Sequence, residues 1–443
     1  MRKGFFTSRL HVAVLACLLL LYPVVSDAGE ALTLDQAFHT ALTESPLVAR
    51  SRQDVEAASQ GRRAARGKRL PRIDLYARAV RLSDPQVVIP IKSFNMKTPP
   101  AFSRDQYGAG VTFRLPLYEG GRLKRAVTVA EFSREISKSG LRLTTQDLLA
   151  DVTNIFNRIL YLKGLTAAEE ETLTALKKAR EDAALKLKVG RIAPVDLMRI
   201  ETQVAEQEQA LIQSREDQRR SQQTLALLLG WKPSREPEAV GTLAPPAPGS
   251  VPTEDEIAKT LIEKRPDIQM AIGKVRKAAA TVEMIRGLHL PSVDLVTDYG
   301  KKTGSGGQGG EEVWSGGVVV NLNLFSGGTI SAQAAQAEAR LSAAEEELRQ
   351  AKLKARTEIL HALSGMREAR HRFEVAASAR KTAEETYRIE DLRYRKGDGT
   401  VTDSLLAQGA WLSARANELA ALFDMQKAVV DYRLAAGTID EGL

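Results

Sequence analysis

Between residues 107 and 117 the chain alternates apolar and polar positions one by one. Tyr107, Ala109, Val111, Phe113, Leu115 and Leu117 share one parity, and Gly108, Gly110, Thr112 and Arg114 the other. A period of two is that of a β-strand with two unlike faces. The alternation returns at Trp314, Val318, Val320, Leu322 and Leu324 against Ser315, Gly317, Asn321 and Asn323. Weaker strand patterns precede these at 72–83 and about 292–301, and a long proline-rich loop joins the first pair. After each pair the period changes. No proline occurs between Leu117 and Ala193, and Leu148, Val152, Ile155, Phe156, Ile159 and Leu160 recur at helical steps of three and four. About 68 residues of helix would run roughly 100 Å at 1.5 Å per residue. A counterpart is expected over about 329–396. Such lengths point to helices packed along one another as in coiled coils. Shorter helices are expected over 33–68, 196–229, 253–287 and 402–436. The first has Thr33 or Asp35 as cap, Pro46 near its first turns and Pro71 as its end.

The elements come twice. Gly190 and Gly397 are 207 positions apart, as are Asp196 and Asp403, and Gly230 and Gly437. The same offset carries Leu-Pro-Leu-Tyr-Glu-Gly-Gly at 115–121 onto Leu-Asn-Leu-Phe-Ser-Gly-Gly at 322–328. Upstream the offset is 220, pairing Pro46 with Pro266 and Pro71 with Pro291, so thirteen extra residues lie between Pro71 and Leu115. The chain reads as an internal duplication, which must be found before the fold is judged. The copies span 29–231 and 253–443. A linker at 232–252 holds Pro233, Pro237, Pro245, Pro246, Pro248 and Pro252.

Composition adds little that conflicts. Aromatic residues are only 5%, which suits long Ala- and Leu-packed helices, and the net charge is +8. No Lys/Arg run is interleaved with aromatics, so nucleic acid is not an expected partner. Arg2, Lys3 and Arg9 precede an apolar run from Val12 to Val25, followed by Ser26, Asp27 and Ala28. That is the pattern of a cleaved export signal over 1–28, with a mature start near Gly29. The single cysteine, Cys17, lies inside the run and only faintly resembles a lipidation site. No Cys-based metal site or disulfide is expected afterwards.

Each copy gives helix, strand, strand, long helix, turn, shorter helix. The fold class is α+β. Ten-residue alternating segments suit a membrane β-barrel, or else a half-buried soluble sheet. Four strands cannot close a barrel, and open edges are not tolerated in lipid. A membrane reading therefore needs several chains. The duplicated order resembles the TolC-like outer-membrane efflux proteins over essentially the whole mature chain. The motifs that carry it are those at 115–121 and 323–328, Val-Gly-Arg-Ile-Ala-Pro-Val-Asp at 189–196, and Leu-Leu-Leu-Gly-Trp at 227–231. The resemblance implies a homotrimer in outer-membrane lipid with a shared twelve-stranded barrel. A periplasmic helical barrel would continue to the two helical turns, engaged by a periplasmic adaptor and an inner-membrane pump.

The resemblance also places the channel constriction at the turns. It falls on Asp403, with Asp196 at the matching place in the first turn and Tyr394 as a hydroxyl holding the closed end. Gly399 stands where a basic partner can occur, and Leu406 where a second acid can occur, which puts a salt-bridged latch in doubt. The bland reading of Asp196 and Asp403 is helix capping. Gly190 and Gly397 are expected to end the long helices in the left-handed conformation, and these turns, with Arg191 and Thr400, are the expected adaptor contacts. Phe113, Leu115, Val320 and Leu322 are expected to face lipid, and Arg114 and Asn321 the lumen.

Other motifs do not develop. Gly304, Gly306 and Gly309 match GxGxxG, but Glu311, Glu312, Val313 and Trp314 lead from it into a strand rather than a helix. The five histidines lack HExxH spacing, and no catalytic arrangement, cofactor site or metal site stands out. Two readings remain: a passive export duct, or a structural periplasmic coiled-coil protein with a small soluble sheet. The substrate class is not legible.

Overall fold

The computed structural model describes residues 31–91, 100–246, 261–307 and 310–441. The export signal with Cys17, the end of the linker and part of the Gly304–Gly309 motif lie outside them. In order, the elements are β1 (Ala31–Leu32), α1 (Leu34–Glu44), α2 (Pro46–Gly67), β2 (Arg72–Val87), β3 (Phe102–Glu119), α3 (Arg122–Lys188), α4 (Pro194–Leu229), β4 (Glu238–Ala239), α5 (Pro266–Arg286), β5 (Ser292–Gly304), β6 (Glu311–Asn321), α6 (Thr329–Lys396) and α7 (Val401–Ala435). They fall into two compact units, each drawing on both sequence copies. One gathers residues up to 40, 155–244 and 380–420, and the other 41–154, 245–379 and those from 421 on.

The long helices have 67 and 68 residues, as their uninterrupted patterns require. The first helix does not run through. Ser45 is extended at φ −63°, ψ 126°, and splits it into α1 and α2. The cause is Pro46, whose ring forces its predecessor out of the helical region, while Pro46 itself fits the first position of α2. The second copy breaks at the matching place: Arg265 is extended at φ −64°, ψ 132°, before Pro266. The linker also carries structure. Glu238–Ala239 pairs in parallel with Ala31–Leu32, burying Leu32 and Ala239.

Helix ends repeat with equal fidelity. Gly120, Gly190 and Gly230 have φ of +58°, +69° and +82°, and their counterparts Gly327, Gly397 and Gly437 have +61°, +87° and +69°. Every glycine landmark of the duplication thus sits in the left-handed region, which other residues enter at a cost of about 1–2 kcal/mol. Among the described residues no non-glycine has a positive φ. The duplication conserves backbone geometry where side-chain identity has drifted.

In the second unit β2, β3, β5 and β6 form an antiparallel sheet in that order. Directly opposed residues share a face. One face carries the rows Ile73–Phe113–Thr297–Gly316 and Leu75–Val111–Tyr299–Trp314, with Leu115–Leu295–Val318 beside them. The other carries Arg72–Arg114–Val296–Gly317 and Asp74–Thr112–Asp298–Ser315, where Thr112 Oγ1 donates to Asp298 Oδ1 at 2.6 Å. On this polar face Tyr76 lies over Gly110 and Gly300. Its hydroxyl stands 2.9 and 3.1 Å from where a Cβ would be, so these glycines make room for the ring. Register shifts occur between Arg81 and Gln86 and between Pro116 and Tyr118. Both coincide with a proline, which cannot donate to the ladder. The outer edges of β2 and β6 have no partner strand among the described residues.

The helices of this unit pack through Ile262, Ile268, Ala355, Ile359 and Leu363, with Ile272 and Tyr432 against them. At their centre stands Arg265. Its guanidinium grips Asp267 at 3.0 and 2.8 Å, reaches Glu358 at 2.6 Å, and donates to the carbonyl of Ala435 at 2.9 Å. It therefore links α5, α6 and the last turn of α7. Burial would raise the Asp267 carboxyl, but the hydrogen bonds and charge of Arg265, with an amide bond from Ile268, hold it below the ordinary value. Nearby, Gln146 donates to the carbonyl of Gly437 at 2.9 Å and to Asp440 at 2.6 Å, and Arg142 pairs with Asp440 at 2.9 Å.

Candidate functional site

In the first unit the chain doubles back twice. At the first turn the amide of Gly190 donates to the carbonyl of Leu187 at 2.9 Å, and that of Arg191 to Lys186 at 2.9 Å. At the second, Gly397 donates to Tyr394 at 3.2 Å and Asp398 to Arg393 at 2.9 Å. Both are Schellman closures, which need a left-handed residue at the glycine. The expected role of Gly190 and Gly397 is thus met in backbone terms. Arg191 is exposed.

The following helices start differently. α4 opens on Ala193 and Pro194 with no side-chain cap, and Pro194 has no amide to satisfy. α7 opens on Thr400, whose Oγ1 accepts from the Asp403 amide at 3.1 Å and donates to Asp403 Oδ2 at 2.7 Å. This is a variant of the capping box: Thr400 is the cap, and Asp403 at the third position accepts from its hydroxyl rather than from its backbone amide. Asp403 is exposed, while Asp196, at the matching place, is half-buried and lies 3.6 Å from Arg199. Thr400→Ala removes both capping contacts. It should weaken the first turn of α7 by about 1 kcal/mol, seen as roughly fivefold faster hydrogen exchange there; unchanged exchange would reject this assignment.

The two turns, 207 positions apart, meet. Val401 is buried in one cluster with Leu173, Leu176, Ala183, Ile200, Val204 and Leu211, and Ile192, Tyr394 and Leu405 pack against it. Arg199 spans the turns, its Nη1 donating to Thr402 Oγ1 at 2.7 Å. Tyr394 lies beneath Lys186, whose Nζ is 4.3 Å from the ring centre, and its buried hydroxyl has no hydrogen-bond partner among the described residues. The ring borders a cavity of about 270 Å³ shared with Lys186, Tyr387, Asp391, Ser404 and Gln408. Tyr387 stacks on Trp411 at 5.3 Å, and burial, reinforced by the Asp391 carboxylate, pushes its phenol up. Lys186, Arg199 and Gln408 escaped sequence reading because nothing in their own spacing marks them; they matter only once the turns are side by side. Gly399 is explained by contact. A Cβ there would come within 3.1 Å of the Arg393 Cβ and the Tyr394 amide, so a basic side chain would have to displace the end of α6. Leu406 is 69% exposed.

The strand residues lie in the other unit. Phe113, Leu115 and Val320 sit on the apolar face of the sheet, and Arg114 and Asn321 on the polar one. Leu322 does not belong to a strand. β6 ends at Asn321, and Leu322 lies just beyond the last paired residue, half exposed at 51%. The alternation persists through Leu324 in sequence, but β5 begins at Ser292, opposite Asn321, so no partner remains for it. No described helix is long and apolar enough to cross a membrane. No described group of His, Cys, Asp and Glu could hold a metal ion.

The family model for outer membrane efflux proteins matches residues 37–231 and 257–438, one segment in each sequence copy. The outer membrane efflux protein BepC of Brucella suis is 24% identical over 277 residues, 62% of this chain and 59% of that protein, so the chain spans less than two thirds of its length. The outer membrane protein OprJ of Pseudomonas aeruginosa is 26% identical over 88% of this chain and 81% of its own. Among solved structures, the outer-membrane channel OprN superposes with a TM-score of 0.76 at 20% identity, covering 91% of this chain and 90% of that one. VceC of Vibrio cholerae gives 0.74 at 21%, covering 91% and 96%. The fold is that of these channels, and this chain, an outer-membrane protein extending into the periplasm, belongs to the outer membrane efflux protein family.

Proposed function

We propose that the chain is a passive export duct of a tripartite efflux or type I secretion system. Three copies close one twelve-stranded barrel, and their helices continue it through the periplasm to the two turns. The copies 29–231 and 253–443, joined by 232–252, are the repeats that build it. The observation that carries this is the banded sheet face. From Val293, opposite Tyr118, to Tyr299, opposite Trp314, the face is apolar apart from Thr297, and beyond it stands the charged pair Lys301–Glu312. Those residues span about 20–24 Å at 3.4 Å per residue. An apolar band near 25 Å flanked by aromatics is what a lipid-facing barrel wall presents. A soluble coiled-coil protein would have no use for it, and the open edges of β2 and β6 require further strands in lipid.

The turns form the gate. Asp403 and Asp196 form the constriction with Tyr394, and Gly190, Arg191, Gly397 and Thr400 meet the periplasmic adaptor, which with an inner-membrane pump opens the duct. Three copies of Asp403 around one axis repel, so the ring holds a cation and favours cations in the pore. Asp196 contributes less because Arg199 neutralises part of its charge. The test is conductance in planar bilayers. Wild-type protein should give cation-selective channels blocked by di- or trivalent cations. Asp403→Asn should keep the fold, since an amide oxygen still accepts from Thr400, but lose selectivity and block. Unchanged selectivity and block would leave Asp403 only its place in the capping box; absence of any conductance would favour the structural coiled-coil reading.

A further inference from the structure

The sheet of the second unit has one end at which α2 and α5 arrive and from which α3 and α6 depart. β2 starts there at Arg72, β3 ends at Glu119, β5 starts at Ser292 and β6 ends at Asn321. The backbone is locked at this end. A Cβ on Gly120 would lie 2.3 Å from the carbonyl of Gly287, and one on Gly287 would lie 2.6 Å from that of Gly120. No side chain fits between, so α3 and the approach to β5 are pinned together, and the residues around them keep fixed positions.

The charge at this end is lopsided. Six of the eleven residues from Arg62 to Arg72 are basic, and Arg122, Lys124 and Arg125 open α3. Five nearby carboxylates are already engaged. Glu131 pairs with Arg62 at 2.8 Å, Asp74 with Arg72 at 2.7 Å and Glu338 with Arg286 at 2.7 Å, while Glu119 pairs with Arg122 and Glu283 with Arg125 and Arg286. Arg63, Lys68, Arg69 and Lys124 are exposed and make no ion pair within the described residues. At the same end of the sheet Leu70, before β2, is exposed by 63%, and Leu324 and Phe325, past β6 at the opposite edge, by 89% and 87%. Surplus basic charge next to exposed apolar side chains, at the rim of an apolar band, is the composition of a membrane–water interface.

We propose that Arg63, Lys68, Arg69 and Lys124 form a binding site for the phosphate headgroups of anionic phospholipids in the periplasmic leaflet of the outer membrane. The occupant follows from the chemistry. The groups are cationic and make no ion pair within the described residues, and Leu70, with Leu324 and Phe325 at the other edge of the same sheet end, offers the acyl region apolar surface at the same level. A free anion would use the charges but not the apolar residues. The site rests on the reading that the banded face lies in lipid, and adds to it the lipid class that borders the barrel.

The test uses the full-length protein in detergent and native mass spectrometry with phosphatidylglycerol or phosphatidylcholine added. Wild-type protein should bind phosphatidylglycerol at least tenfold more tightly. Each basic residue at an anionic surface contributes about fivefold, so R63Q/K68Q/R69Q/K124Q should lose the preference by more than tenfold with phosphatidylcholine binding unchanged. The charge-preserving R63K/K68R/R69K/K124R should keep it, which guards against misfolding. So should K352Q/K354Q/R367Q, which begins roughly 35 Å along α6 from the sheet at 1.5 Å per residue. No preference in the wild type, an undiminished preference in R63Q/K68Q/R69Q/K124Q, or full displacement by inorganic phosphate would each overturn the site. Planar-bilayer conductance separates the two readings. Conducting channels without lipid preference remove this site alone, and lipid preference without conductance removes the duct and leaves the site standing.

Discussion

Arg265→Ala should cost about 3 kcal/mol of stability in urea unfolding of the detergent-solubilised protein at pH 7. The side chain is only 10% exposed and stands between Asp267 and Glu358 while capping the carbonyl of Ala435 at the end of α7. Its removal leaves two carboxylates facing each other across a vacated site. Losing one member of a buried ionic cluster costs about 3–5 kcal/mol. The low end applies because Asp267 and Glu358 keep 34% and 38% exposure, and water screens them. The pH dependence has a definite sign. In the wild type the folded carboxyl of Asp267 lies below its ordinary value, so its stabilisation is present above the unfolded pKa and is lost as pH falls through the folded one. In the variant the Asp267 carboxylate, still partly buried but without its guanidinium partner, instead takes up a proton more readily than in the unfolded chain, and folding is favoured as pH falls. The gap between the two proteins should therefore narrow between pH 7 and pH 4.5. A loss under 1 kcal/mol, or a gap that does not move with pH, would refute the assigned role.

On the proposed lipid-facing barrel wall, Phe113→Arg should cost about 2–4 kcal/mol of stability, as cationic substitutions there do near the bilayer midplane. Phe113 lies between Ile73 and Thr297, inside the band closed by Tyr118 at one end and by Tyr299 and Trp314 at the other. Arg114, one residue on, belongs to the row of Arg72 and Val296 on the opposite face. Thermal dissociation of the proposed trimer in detergent should fall in temperature for Phe113→Arg and move much less for Arg114→Phe. If Phe113→Arg is neutral while Arg114→Phe prevents assembly, the faces are reversed.

Much of this fold is legible in the chain itself. The presence and order of the strands and long helices follow from periodicity alone, because a period of two or of 3.6 is imposed by backbone geometry and survives wide change in side-chain identity; the strand ends do not, since β2 runs on to Val87 and β3 begins at Phe102. The doubled glycines are legible for the same reason, since a left-handed helix end tolerates little else. Spacing alone puts Pro46 inside one helix, and the break at Ser45 shows that steric restriction on the residue before proline outweighs an otherwise continuous apolar pattern. Leu322 keeps the strand parity but lies past the last paired residue, because pairing depends on where β5 begins, which parity does not encode.

What only the tertiary structure decided is which distant residues share a location. Arg265 differs from its counterpart Ser45 by identity alone, and nothing nearby in sequence announces Glu358 or Ala435 as its partners, 93 and 170 positions away. The tie from Arg199 to Thr402 and the placement of Lys186 over Tyr394 likewise required the two turns to meet, whereas the pairing of Asp196 with Arg199, three residues on in the same helix, is local. Local patterns specify elements because their energetics are set within a few residues. Electrostatic partners and shared cavities are set by packing between elements, and one sequence without its fold carries no record of which elements touch.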